Sequence, residues 1–483
     1  MCNLVLSRRG LLVAGAATAA MAAFPRVPRA GTGSPPLRLT VGRRSLDVNG
    51  KTASVFGITG PDGMPGLTLD AGQRFAVTLA NRAGETTIIH WHGQTPPYRQ
   101  DGVAETGGAL IADGAEQGYD FAARAGTHWM HSHHGLQEQM LMAAPLIVRS
   151  VEDTRADAQD VTVLLHDFTF RDPAAILAQL GGMSGHGAAM PGMTMPQDGG
   201  ASHDMKSAVT GAGMDLNDVD YDAYLANDRT LADPLVVRVE RRGRVRLRLI
   251  NGATTTAFWI DLGALDGTLV AVDGDAVRPL AVRRFPLAQA QRADVLLDVT
   301  EAGAFPVLAQ REGDRQRTGI ILATPQAVVG RIASDADSAA PAADLSLEAR
   351  LAAAQPLPQR AADLVHRMAL TGTMRPYVWS IDGRTWRDHQ PLFVSQGQRV
   401  ELTFVNQSRM AHPMHLHGHH FQVTEINGTR IAGALRDTVL VPVNASVTVA
   451  FDADNPGRWL LHCHNLFHMA SGMMTELAYD NVG

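Results

Sequence analysis

Across 483 residues, 42 Lys and Arg stand against 48 Asp and Glu, a net charge of −6, with lysine only at Lys51 and Lys206, so nothing suggests a nucleic-acid surface. The length exceeds one core and suggests roughly three domains of about 150 residues each. Nineteen methionines and nineteen histidines accompany only two cysteines, a balance that points to bound metal before disulfides.

Residues 1–30 open with Ser7-Arg8-Arg9-Gly10-Leu11-Leu12 ahead of an apolar run from Leu11 to Phe24. The segment is similar to a twin-arginine export signal, and the run is shorter than the ~20 apolar residues of a spanning helix. Its removal takes Cys2 with it, leaves no membrane segment and delivers to the periplasm a chain with one thiol, Cys463. A lone cysteine in an oxidising compartment has no internal disulfide partner, so it is either an inert core residue or a ligand.

The next elements repeat. Gly72-Gln-Arg-Phe-Ala-Val-Thr-Leu-Ala-Asn81 returns as Gly397-Gln-Arg-Val-Glu-Leu-Thr-Phe-Val-Asn406, and Gly243-Arg-Val-Arg-Leu-Arg-Leu-Ile-Asn251 is a copy one residue shorter. Large apolar residues alternate with small or polar ones, the period of a half-buried strand. Turn signals such as Asn427-Gly428 and Asp454-Asn455-Pro456-Gly457 separate further short runs. This predicts an all-β chain of three consecutive sandwiches: 36–150, 160–330 and 361–483. An Ala, Asp and Pro-rich linker, 331–360, crosses the surface, and a Met, His and Gly-rich insertion, 181–214, interrupts the second copy.

The copies differ in their histidines. Nine and eleven residues after Asn81 stand His90 and His92, and the same offsets from Asn406 give His415 and His417. From Asn251 they give Ile260 and Leu262. A second pair follows a glycine by five residues in the outer copies, His131 and His133 after Gly126, and His462 and His464 after Gly457; the middle copy has Leu308 and Gln310 after Gly303. On a strand, an H-x-H pair puts both imidazoles on one face, so eight histidines converge if the outer domains face each other. Cys463 then points to the opposite face, toward a second metal. His412, Cys463, His468 and Met473 supply two imidazoles, a thiolate and a thioether, the set that selects copper in blue-copper sites.

Taken together, His90-Trp-His-Gly93, His131-Ser-His133, His412-Pro-Met-His-Leu-His-Gly418 and the run His462 to Met473 resemble the four copper motifs of multicopper oxidases over nearly the whole mature chain. The resemblance implies cupredoxin-like Greek-key domains and four copper ions. Type 1 is held by His412, Cys463, His468 and Met473, and type 2 by His90 and His415. Of the type 3 pair, one copper takes His92, His131 and His464, and the other His133, His417 and His462. Met474 is one residue out of register as an axial ligand. The resemblance further implies oxidation of a donor at type 1, with reduction of dioxygen to water at the other three coppers. Asp101, in Gln100-Asp101-Gly102, matches the family's proton-relay acid. Met469 stands where several relatives carry a second acid, and Glu105 is the alternative.

Other histidines have plainer roles. His128, His134, His419 and His420 fall off register and suit second-layer or solvated positions, while His166, His366 and His389 read as ordinary surface or core residues. In the insertion, Met183, Met190, Met193, Met195, Met205 and Met214, with His186 and His203, offer soft donors for Cu(I). The sequence around Gly135 to Gln139 resembles periplasmic copper-resistance oxidases, and Met410 matches a methionine near type 1 in copper-efflux oxidases, whose accompanying acid is here Ser408. These features imply Cu(I) oxidation in copper tolerance by a monomer, with laccase-like oxidation of phenols or aromatic amines as the alternative. A non-catalytic periplasmic copper-binding protein is the reading from another class.

Overall fold

The computed structural model describes residues 35–181, 214–480 and 482; the segment read as an export signal, 1–30, and all of the insertion except Gly181 and Met214 lie outside them. Six β-sheets form three pairs in chain order, so the all-β expectation holds. Each GQR-type repeat becomes a strand, Phe75–Arg82, Arg244–Asn251 and Arg399–Asn406. Each pairs in parallel with the opening strand of its copy, Leu37–Val48, Gln159–Phe168 or Leu364–Met374. Each pairs antiparallel with a later one, Glu116–Phe121, Arg292–Asp298 or Ser446–Asp452. The alternation buries Phe75, Val77 and Leu79, then Val245, Leu247 and Leu249, then Val400, Leu402 and Phe404, which closes each sandwich over its second sheet.

The asparagine ending each repeat explains the constant offset to the histidines. Asn81 Nδ2 donates to the carbonyls of Glu85 and Ile111, both at 2.8 Å. Asn251 donates to Thr256 and Leu287 at 2.9 and 3.0 Å, and Asn406 to Met410 and Val441 at 2.7 and 2.9 Å. In each copy Oδ1 accepts from the backbone N–H two residues on. One buried amide thus shapes the turn into the next strand, Ile89–His90, Phe258–Asp261 or His412–Leu416.

The ladder corrects one alignment. His90 lies opposite His131 and His415 opposite His462, whereas Ile260 lies opposite Ala309. The middle counterparts of the second histidine pair are therefore Ala309 and Arg311, not Leu308 and Gln310. One residue more separates Gly303 from its ladder position than in the outer copies. The stretch 331–360 also differs from a surface-crossing linker. Ala340, Ala343, Leu347, Leu351 and Ala353 are buried, and Glu348 pairs with buried Arg436 at 2.7 Å. Its apolar residues are mostly alanines with a few isolated leucines, spaced by polar residues and proline, so it packs as a strap although composition reads as loop. Among the described residues no helix is long and apolar enough to cross a membrane.

Candidate metal centre

The strands bearing the four histidine pairs meet between the first and third modules. The His90 and His417 rings lie 3.9 Å apart, and those of His92 and His415 stack at 3.8 Å. Each contact joins one histidine from each outer module. Two triads have ligand atoms close enough to share one ion, His92, His131 and His464, and His133, His417 and His462; His90 and His415 also converge, with His92 as third neighbour. All eight rings are buried.

Their nitrogens sort by direction. His90 Nε2, His92 Nδ1, His131 Nε2, both nitrogens of His133, His415 Nε2 and His464 Nε2 are buried without a protein partner. His417 Nε2 and His462 Nε2 face each other at 2.9 Å. Each unmet buried polar group costs about 1–3 kcal/mol, so such a concentration in one place fits a cation. The opposite ring edges are held. His90 Nδ1 meets the Asp101 carbonyl at 2.9 Å, and His92 Nε2 meets Asp437 Oδ1 at 3.1 Å. His131 Nδ1 meets Glu138 Oε2 at 2.8 Å, and His415 Nδ1 the Asp437 carbonyl at 2.8 Å. His417 Nδ1 meets Asp101 Oδ2 at 2.8 Å. Burial, reinforced by the crowding of the other histidines and, at His92, by Arg292, holds His92, His133, His415, His417 and His464 well below the usual imidazole range and His462 at about 3. Neutral imidazoles with free nitrogens are metal donors.

Cys463 lies on the other face. His412 Nδ1 and His468 Nδ1 each stand 3.6 Å from its sulfur, and 3.2 Å from one another. The short helix Leu466–Ala470 returns His468 to the sulfur, and Asn465 caps it by accepting from the N–H groups of Phe467 and His468 at 3.2 Å. Met473 is buried, and its carbonyl accepts from Cys463 N–H at 3.1 Å. Met474 lies opposite His462 in the ladder and shares that residue's face. Burial pushes the Cys463 thiol far up, and burial with His468 alongside lowers His412. A soft cation in place of the thiol proton suits this set.

Asp101 sits where it reaches both outer modules, 0% exposed, with Oδ1 3.3 Å from His90 Nδ1 as well. Glu105 is raised by burial, and its Oε2 has no partner; no hydrogen bond among the described residues joins it to the cluster. Ser408 Oγ lies 2.7 Å from His412 Nε2, and Met410 is buried nearby. His128 and His419 are buried outside the donor sets and His420 is partly buried there; His420 bonds to Asp275 at 2.5 Å and His419 to the Tyr479 hydroxyl at 2.6 Å. His134 is partly buried. His166 is buried, His389 stacks on Trp386 at 4.1 Å, and His366 is at the surface.

The sequence reading missed Asp437, Glu138 and Asp218. Asp218 Oδ2 lies 3.2 Å from His468 Nε2 and accepts from Asn465 Nδ2 at 2.7 Å. None belongs to a histidine motif. Only Glu138 stood in a quoted stretch, and its nearness to the motif His131-Ser-His133 was the one available signal.

The multicopper oxidase family models match residues 40–153, 159–327 and 359–482. The chain is 32% identical to multicopper oxidase MmcO of Mycobacterium tuberculosis, covering 95% of this chain and 89% of that protein. It is 27% identical to a copper resistance protein A homolog of Pseudomonas syringae, over 92% of each. Among solved structures it resembles Fet3p, described as a multicopper oxidase that functions in iron import, with TM-score 0.73, 18% identity and 92% and 90% coverage. The laccase of Botrytis aclada is similar in fold at TM-score 0.70, 21% identity and 91% and 87% coverage. Matched module by module from residue 40 to residue 482, the chain belongs to the multicopper oxidase family and is a copper-dependent oxidoreductase.

Proposed function

We propose that this oxidase removes single electrons from Cu(I) in copper tolerance and reduces dioxygen to water, acting as a periplasmic monomer exported by the twin-arginine route, with the three modules bounded as read above. His412, Cys463, His468 and Met473 would hold one copper, His90 and His415 a second, and the triads His92, His131, His464 and His133, His417, His462 a third and fourth. Copper supplies one-electron exchange at both donor sets and a place for dioxygen at the histidine set, and four such ions match a four-electron reduction. The chain supplies the rest. His462, Cys463 and His464 are consecutive, and His462 Nδ1 lies 3.0 Å from the Cys463 carbonyl, so the electron has a covalent and a hydrogen-bonded path between the sets. Asp101 would pass protons inward at Oδ2, beside His417 Nδ1. The single observation carrying the reading is the separation of donors by strand alternation, thiolate on one face and histidines on the other.

Cu(I) as donor is supported by the relatives named for copper resistance and by where the insertion is anchored. It leaves from the helix Pro173–Gly181, which packs on Tyr377–Ile381. It returns at Asp215, whose N–H donates to the Arg409 carbonyl at 3.0 Å, three residues before His412. The laccase-like reading is favoured by Ser408 in place of an acid and by relatives named laccase, one of them 27% identical in Fomitopsis schrenkii. Oxygen uptake with Cu(I) and with a phenol, before and after deletion of residues 182–213, separates the two. We expect the deletion to depress Cu(I) turnover at least roughly tenfold, the lower end for lost metal-site support, and to spare or raise phenol turnover. Untouched Cu(I) turnover would remove the insertion from the mechanism.

A further inference from the structure

Among the described residues the middle module contributes no histidine to the cluster, yet one of its side chains reaches the edge. Arg292 opens the strand Arg292–Asp298 and is 0% exposed. A guanidinium has five N–H donors, and here all five have acceptors. Nε donates to the Thr127 carbonyl at 3.2 Å. Nη1 donates to the Ala290 carbonyl at 3.0 Å and Asp437 Oδ1 at 2.7 Å. Nη2 donates to the Asp273 carbonyl at 3.0 Å and Asp437 Oδ2 at 2.5 Å. Thr127 belongs to the first module, in the strand that carries His131, and Asp437 belongs to the third. One side chain therefore ties the middle module to both outer ones at the point where the outer ones meet.

Asp437 transmits the constraint. Its Oδ1 is 3.1 Å from His92 Nε2 and accepts from Thr438 Oγ1 at 2.9 Å, and its carbonyl is 2.8 Å from His415 Nδ1. The neighbouring Gln291 donates to the Thr438 carbonyl at 3.2 Å. An acceptor at His92 Nε2 places the ring proton there and leaves Nδ1, which is buried and unpartnered, for a metal. An acceptor at His415 Nδ1 does the converse and frees Nε2. The chain after His92 also leaves room for this pair, because a Cβ on Gly93, at φ +88°, would stand 2.4 Å from His128 Nδ1, 2.6 Å from Arg292 Nη2 and 3.1 Å from Asp437 Oδ2. No hydrogen bond of Arg292 reaches His412, Cys463, His468 or Met473.

We propose that Arg292 is a positioning residue for the histidine cluster: from a module whose described residues give that cluster no histidine it fixes, through Asp437, the tautomer and direction of His92 and His415, and leaves the Cys463 site alone. The assignment rests on reading those histidines as copper ligands. Lysine cannot substitute, since one ammonium cannot grip both carboxylate oxygens and the Thr127 carbonyl together. Methionine removes the charge and leaves Asp437 buried and unpaired.

The test compares wild-type holoenzyme with Arg292→Met and Arg292→Lys by copper per chain, chelator competition, the paramagnetic signal of the type 2 copper and blue absorption from the Cys463 copper. Both variants are expected to keep the blue absorption while the cluster coppers bind roughly 10- to 100-fold more weakly, and kcat for dioxygen reduction falls with KM for the donor unchanged. If Arg292→Met does not fold, Arg292→Lys decides, because its charge still compensates Asp437. Wild-type copper affinity and turnover in Arg292→Lys overturn the proposal, as does equal loss of both copper classes, which marks a purely structural role. A wild-type protein holding copper only at Cys463 would instead defeat the reading of the histidine cluster.

Discussion

Asp101 bridges His90 and His417 from a buried turn, so it can both orient rings and carry protons, and one substitution separates the two. Asparagine keeps an oxygen to accept from His417 Nδ1, now at 2.8 Å from Asp101 Oδ2, but cannot take up a proton. Asp101→Asn is therefore expected to lower kcat by roughly 10²-fold or more, the usual share of a positioned acid–base group. Blue absorption and the donor KM should stay unchanged, since Asp101 has no hydrogen bond to the Cys463 set. Oxygen-uptake kinetics check this, and wild-type turnover in the asparagine variant would reduce Asp101 to an orienting group. At this scale the sequence was most legible where candidate donors share a strand. His462, Cys463 and His464 declare their faces by alternation, and the convergence of the eight histidines follows once the outer modules face each other. Asp437, Glu138 and Asp218 were not legible, because each meets its histidine from a different element. An isolated acid carries no period or spacing that marks what it will touch.

The elements owe their register to a few turn residues, and the glycine that ends the H-x-H-Gly motif of the third module, set against the one that opens its repeat, shows how tight the turns are. Gly418 has φ +67°, and a Cβ there would stand 2.3 Å from the ring of Trp459, which is fully buried. Gly397, at φ +87°, has nothing within 4 Å of the same position. Alanine at either site incurs left-handed backbone strain of about 1 kcal/mol or more, but only at Gly418 must a packed indole also move. Denaturant unfolding should therefore find Gly418→Ala destabilised beyond Gly397→Ala by roughly a further 1–3 kcal/mol. Equal losses would show that Trp459 yields freely. The repeat, its alternation and the outer registers could be read from the chain because Asn81, Asn251 and Asn406 perform the same hydrogen bonding in every copy. The middle copy misled at its second pair, since without a histidine nothing in the sequence marks the extra residue between Gly303 and Ala309.

At the level of the whole molecule, the strap 331–360 joins modules that composition alone would leave loosely linked, and Glu312 is one of its fastenings. This carboxyl is buried, and its Oε2 accepts from the Ala343 N–H at 2.8 Å. Burial raises it from an ordinary 4.5 to about 7, against smaller opposing effects of that hydrogen bond and Arg311. Between those values the folded chain holds a proton that the unfolded chain has released. Its contribution to stability is thus fully present below pH about 4.5, declines as pH rises toward 7, and is lost above it. The full difference is on the order of 3 kcal/mol. Glutamine keeps an acceptor for Ala343 and does not titrate, so Glu312→Gln should gain on wild type as pH rises from 4.5 to 7 and hold a constant margin beyond. Unfolding measured on both proteins across that range isolates the effect, because other titrations cancel in the difference. A margin that does not change with pH would mean that the strap opens enough to hydrate Glu312, and that the modules are held chiefly by ties such as Arg436 with Glu348.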